Sequence, residues 1–250
     1  MRAYKLGNSH AKVLDRLVAE GVFKSPEAAL RDAVDTYLSG LRQRQQQAGF
    51  AIDLYPADDG AYKTQEQWIA FFNEQRKPMI SAANLYLAGK SAPDELLKSL
   101  RSDFDESLIV SSTRISYSGD DLSGRITQNY GSKVVKPSQT DVSVIPVYDN
   151  TPLVKALDSE DGIRYLQSLF DAKDNPKTIA GTLEHLSERK VEDIILWTPN
   201  QDLRKRYSER AAGFGIGGGG FHVVGGDRFG NGDGHSRGVS VSPRSGRAKK

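Results

Sequence analysis

Four stretches carry side chains whose types and spacing could do chemistry. Gly213-Phe214-Gly215-Ile216-Gly217-Gly218 satisfies G-x-G-x-x-G, a pattern that brings backbone against a pyrophosphate where a helix begins. The residues that follow, GGFHVVGGDRFGNG, cannot continue as helix, and too little chain remains for a dinucleotide-binding unit, so nucleotide binding is set aside. His222 and His235 with Asp227 and Asp233 offer imidazole and carboxylate ligands to a divalent metal. Their spacing follows no metal pattern: in a calcium loop starting at Asp227, Phe229 would occupy the first alternate position, where an acid or amide is needed. Exposed loop residues is the reading kept, and no metal is expected. Ser111-Ser112-Thr113-Arg114 contains three hydroxyls, but there is no G-x-S-x-G elbow, and His10 and His185 lie far away in sequence. Cross-strand hydrogen bonding is their expected role. Asp120-Asp121 reads as a solvated turn. The 250 residues include no cysteine, which removes thiol catalysis, disulfides and cysteine-ligated zinc or iron–sulfur clusters. No catalytic set assembles, so neither an enzyme nor a cofactor is expected.

The elements that would position these residues fall into an α+β pattern. Arg2 to Leu6 reads as a short strand, HAKVLDRLVAE (10–20) as a helix with Asn8 or Ser9 as cap, and SPEAALRDAVDTYL (25–38) as a second helix opened by Ser25 and Pro26. Residues 41–54, Gln-rich and then rich in turn formers, read as a linker. Thr64 caps a helix with Trp68, Ile69, Phe71 and Phe72 inward, and 81–89 and 93–104 are further helices. LIVSSTRISYS (108–118), 125–130 and the alternating 141–148 turn to strand character. LVKALDSEDGIRYLQSLF and NPKTIAGTLEHLSER form two helices before an apolar strand at 193–198, and Trp68 and Trp197 are assigned to the core.

From Gly213 to Gly234, 11 of 22 residues are glycine, more than an ordinary core strand or helix tolerates. The expectation is two short strands among Gly-rich loops, then a strand at 236–242 and a disordered basic tail, 243–250. With 34 Lys+Arg against 32 Asp+Glu the net charge is only +2, so no overall field marks a nucleic-acid coat, and any basic site must be local. Met1-Arg2-Ala3-Tyr4-Lys5 leads into no apolar signal region, and no run approaches the roughly 18 apolar residues of a membrane helix. A soluble, cytoplasmic chain without membrane partners is expected.

Residues 1–40, a short strand, a helix, a four-residue turn and a second helix, resemble the ribbon-helix-helix fold, in which two chains pair their first strands. That resemblance implies a homodimer, with Arg2, Tyr4 and Lys5 on the strand and Lys24 and Ser25 at the helix start as DNA contacts. A helical dimerisation module that reads no DNA is the alternative. Residues 55–242 carry Trp197-Thr198, Arg210-Ala211 and Ser236-Arg237-Gly238-Val239-Ser240-Val241, which resemble the closing strands of the C-type lectin fold as found in formylglycine-generating-enzyme-like domains. The stretch 152–190 would be a helical insertion in that fold. The oxidase members of the fold work through paired cysteines, which are absent here, so the resemblance implies binding rather than catalysis. One subgroup, the variable proteins of diversity-generating retroelements, rewrites its C-terminal loops, and the erratic Gly-rich patch ending in a regular strand resembles that outcome. The ligand-binding face so implied comprises Phe214, Ile216, Phe221, His222, Val224, Asp227, Phe229, Asn231, Asp233 and His235, with a protein or other macromolecule as ligand. Arg210, Ala211, Arg237, Gly238 and Val239 would be scaffold. The rival function is a dimeric DNA-binding transcriptional regulator with a C-terminal sensor domain.

Overall fold

Capping residues and apolar spacing explain where the helices start and which side they bury. The computed structural model describes residues 50–55, 63–106, 108–227, 234–236 and 238–243. The chain divides after Gly49. The expected ribbon-helix-helix module, with Arg2, Tyr4, Lys5, Lys24 and Ser25, lies outside the described residues, as does the tail from 244 onward. Helix α1 (Gln65–Glu74) opens with a capping box between Thr64 and Gln67 and buries Trp68, Ile69 and Phe72. Helix α2 (Ala82–Ser91) repeats the device with Ser81 and Asn84. Helix α3 (Asp94–Glu106) buries Leu97, Leu100 and Phe104, one face of a 3.6-residue repeat.

The span 153–170, expected as one helix, is two: α4 (Leu153–Leu157) and α5 (Glu160–Leu169). The break has a local cause, because the Ser159 side chain accepts from the Gly162 backbone amide and so starts a new helix. Helix α6 (Pro176–Ser187) is capped by Asn175 with Pro176 in its first turn, and it ends at Glu188 in the left-handed conformation. Helix α7 (Gln201–Arg206) is capped by Asn200.

Ten strands complete the described residues: β1 (Phe50–Tyr55), β2 (Leu108–Tyr117), β3 (Gly124–Gln128), β4 (Ser138–Val142), β5 (Thr151–Pro152), β6 (Ile194–Trp197), β7 (Glu209–Gly217), β8 (Gly220–Asp227), β9 (Gly234–His235) and β10 (Gly238–Pro243). Seven run in the order β4-β3-β2-β7-β8-β6-β5, and β9 pairs with β2. The sheet is mixed: β6 runs parallel to β8 and β9 to β2, while the other pairs are antiparallel. Strands β1 and β10 form a separate antiparallel ribbon, Phe50 opposite Pro243 and Tyr55 opposite Gly238. Residues 50–54, expected as linker, are therefore a strand, stabilised by a partner nearly 190 residues away that no local signal reveals. The strand expected over 141–148 stops at Val142; Pro146 follows, Ile145 is buried and Val147 is exposed, so alternation fails.

Successive residues of β2 and β7 point to opposite faces and so locate two cores. Ile109, Ala212 and Phe214 belong to the principal cluster with Leu85, Leu97, Phe104, Leu166 and Leu183, from α2, α3, α5 and α6. Val110 and Ala211 belong to a second cluster with Trp68, Ile69, Phe72 and Met79 around α1. The segment 152–190, expected as an insertion, supplies Leu153, Leu166, Leu169, Ile179, Leu183 and Leu186 to the principal core, so it is integral to it. No helix among the described residues is long and apolar enough to cross a membrane.

Candidate functional site

The Gly-rich stretch, expected as two short strands among loops, forms two strands of nine and eight residues in the middle of the sheet. Strands β7 and β8 make a hairpin with Ile216 opposite Phe221 and Gly217 opposite Gly220. The two turn residues, Gly218 and Gly219, have φ of 57° and 89°, as a two-residue hairpin turn with positive φ at both positions requires. Two other glycines are needed for close approach. A Cβ on Gly220 would meet the Asp193 carbonyl at 2.7 Å, and one on Gly225 would meet the Tyr165 and Tyr117 hydroxyls at 2.7 and 2.9 Å. Glycine here is a packing residue, which is why so glycine-rich a segment can be a central strand.

Alternation along β8 sorts the expected ligand-binding residues. Phe221 and Val223 point into the principal core, Phe221 at 0% exposure with its ring centroid 5.0 Å from that of Phe104. Phe214 on β7 is also at 0% exposure and packs against Phe170, centroids 6.5 Å apart. Phe214 and Phe221, expected on the ligand face, are core residues, because the hairpin register turns both toward the helices. His222 and Val224 take the other side of β8 and are half-buried. His222 Nε2 lies 2.7 Å from the Gly217 carbonyl, and since a carbonyl only accepts, that nitrogen donates. Ile216 is half-buried at the end of β7, packed against the rim of the core.

Across the parallel pairing, Ile195 of β6 stands beside His222 and Trp197 beside Val224. Both are half-buried, so Trp197, expected in the core, belongs to this outward face instead. Sequence reasoning missed it because only a parallel contact, 27 residues away in sequence, places it there. Asp227 ends β8 opposite Ala211, and His235 in β9 stands opposite Ile109. Phe229, Asn231 and Asp233 lie outside the described residues. Among the expected scaffold residues, Arg210 and Ala211 are buried in β7, and Gly238 and Val239 lie in β10.

The hydroxyl-rich run of β2 is fully committed to the sheet. Ser111 Oγ donates to the Ala212 carbonyl at 2.7 Å and Ser112 Oγ to the Met79 carbonyl at 3.0 Å. Thr113 Oγ1 donates to Gln128 Oε1 and accepts from the Ala82 amide at 2.8 Å. Arg114, 5% exposed, donates to Gln65 Oε1 at 2.7 Å and pairs with Glu66 and Glu209, its guanidinium 3.6 Å above the Tyr130 ring centroid. These groups hold α1 and β3 to β2, and none is disposed as a nucleophile beside a base.

At the other end of β2, Tyr117 donates its hydroxyl to the Gly225 carbonyl, and the wholly buried Arg204 lies 4.8 Å from the Tyr117 ring centroid. Burial pushes the Tyr117 and Tyr165 hydroxyls well above the ordinary tyrosine range, against the lowering influence of Arg204. Burial also lowers the Arg204 pKa from its usual value.

Two grooves are formed by described residues. One, of about 330 Å³, is lined by Asn84, Lys90, Asn129, Ser138, Asp171 and neighbours. Beside it, Asp174 accepts from Tyr86 and Lys90, both at 2.8 Å. Burial opposes ionisation of Asp174, but these two donors outweigh it and its pKa falls below the ordinary value. The second groove, of about 440 Å³, runs along α1 past Glu66, Ile69, Ala70, Glu74, Tyr130 and Lys133. Among the described residues no group of three or more His, Asp or Glu side chains is placed to hold a metal ion.

Compared with known proteins, the chain matches no family model, no curated protein and no solved structure. What can be said of function therefore rests on its own geometry.

Proposed function

We propose that this protein binds a protein or other macromolecular ligand without covalent chemistry, through the outward side of its Gly-rich C-terminal strands. The observation that carries this reading is the division of labour on β8: Phe221, Val223 and Gly225 are locked against the core, whereas His222 and Val224 face away from it. A rigid central strand that presents side chains with no role in the core can change them without unfolding, which suits a recognition surface. Trp197, Ile195 and the exposed turn Gly217–Gly219 extend that surface, which mixes aromatic, apolar and imidazole groups as recognition surfaces do, whereas Ile216, opposite Phe221, lies on the core side.

The finer reading is a C-type-lectin-like domain of the retroelement-diversified kind. It is supported by Trp197-Thr198 closing β6, Arg210-Ala211 opening β7 and Gly238-Val239-Ser240-Val241 forming β10. Sequencing this locus and its flanking DNA across one population tests it. Substitutions are expected at codons 222 and 224 and within 227–235, with codons 214, 220, 221, 223 and 225 constant and an Asn-rich template and a reverse transcriptase alongside. A C-terminal segment uniform across the population, or substitutions that fall equally on 221 and 222, would overturn it.

A further inference from the structure

The β3–β4 loop contributes Gly131 and Lys133 to the lining of the α1 groove. The groove floor is apolar through Ile69 and Ala70, and its rim carries two acids, Glu66 and Glu74, two turns apart on α1, against the single cation Lys133. Glu66 shares its charge with Arg114, and Glu74 has no ion pair among the described residues. Immediately next to the groove, the β3–β4 loop exposes Val134 and Val135, at 43% and 39%, between Lys133 and Lys136.

This loop is held in place. Asn73 of α1 donates Nδ2 to the Gly131 carbonyl at 2.9 Å and accepts from the Lys133 amide at 2.8 Å. Ser132 Oγ accepts from the amides of Val134 and Val135 at 3.2 and 3.1 Å. Four hydrogen bonds thus fix a loop whose two apolar side chains remain in water, and the exposure of both valines means that the loop does not fill its own groove.

An apolar groove on which acids outnumber cations, beside a lysine-flanked apolar knob, is a self-complementary surface, the property an isologous two-fold interface requires. We propose that this face is an interface between two copies of the chain, in which Val134 and Val135 of each copy seat in the α1 groove of the other. Lys136 then stands against Glu74 of the second copy. The charges favour a second copy over an unrelated apolar surface, since Lys136 beside the knob answers Glu74, the acid on the rim that Arg114 does not hold. This contact is separate from the recognition surface on β7 and β8, and either can fail without the other.

The absence of cysteine from the chain gives a direct test. Full-length protein carrying Ala70→Cys is mixed with full-length protein carrying Val135→Cys under mild oxidation. The mixed 70–135 disulfide should accumulate at least about tenfold faster than one between Ala70→Cys and Val147→Cys, because a standing contact raises the local thiol concentration. Val147 is a fair control, being as exposed as Val134. Adding Glu74→Lys to the Ala70→Cys chain should slow the reaction, and adding Lys136→Glu to the Val135→Cys chain should restore it. Equal rates at 135 and 147, or a 70–135 disulfide indifferent to both charge changes, would overturn the proposal. Absence of any mixed disulfide would also overturn it, and would leave the groove to a basic peptide from elsewhere.

Discussion

Strands β2 and β8 both flank β7 in the middle of one sheet, and they solve burial in opposite ways. β2 buries Ser111, Ser112, Thr113 and Arg114 and gives each polar side chain a partner, so little is lost on leaving water. The β7–β8 hairpin removes side chains instead, and the vacated space is taken by Tyr117 and Tyr165 at Gly225 and by the Asp193 carbonyl at Gly220. The difference teaches that a central strand need not be a run of aliphatic residues. It needs a filled volume and satisfied polar atoms, and either can be supplied by neighbours.

The largest effect is expected where glycine is a packing residue. Gly225→Ala would push its Cβ into two buried tyrosine hydroxyls and should lower unfolding stability by about 2–3 kcal/mol. Gly181→Ala on α6, where nothing lies within 4 Å of the new Cβ, should instead raise stability by about 0.5–1 kcal/mol. Urea unfolding of both variants reads the contrast directly; the same sign for both would break it.

Next comes the hydroxyl strand. Thr113→Val keeps the shape but leaves Gln128 Oε1 and the Ala82 amide without a partner, for a loss of about 2 kcal/mol, whereas Thr113→Ser should lose less than half of that. If Val and Ser behave alike, β2 is held by volume and the distinction from β8 disappears.

A smaller, pH-dependent effect concerns the tyrosines at the junction of the two strands. Tyr117 and Tyr165 have folded pKa values raised above the ordinary 10.0 by burial, so their contribution is intact below pH 10 and is lost as pH rises beyond it. Stability should be flat on approach to pH 10 and fall above it, with tyrosine ionisation, followed by ultraviolet absorbance, arriving together with unfolding. Ionisation of all ten tyrosines while the chain is still folded would show the junction to be wetter than the structure implies.

Local rules carried far in this chain. Thr64 caps its helix as expected, the apolar repeat of α1 buries Trp68, Ile69 and Phe72 with Phe71 half-buried beside them, and the hydroxyls of β2 make bonds of the expected kind, whereas the short helix that Asn200 caps is not among the expected elements. Capping and amphipathic spacing act over three to four residues, so a single chain segment contains the information. What segment-level reading missed has one physical origin. Strand partners are distant in sequence, and a side chain's fate on a strand is set by which partner it meets and in which register. Phe50–Tyr55 is a strand only because Gly238–Pro243 lies beside it, and Trp197 faces outward only because β6 runs parallel to β8.

The same division runs through the candidate site. From residue types and their scatter alone, the sequence determined that a glycine-rich, chemically varied segment stands near the C-terminus, and that no thiol chemistry is open to the chain. Tertiary structure decided that half of the described part of that segment is core: Phe214 and Phe221 look identical in kind to a recognition aromatic, and only the hairpin register against helices α3 and α5 turns them inward while leaving His222 and Val224 outside. The reason is the two-residue period of a strand, which assigns neighbouring residues to opposite faces but leaves to long-range packing which face becomes the interior.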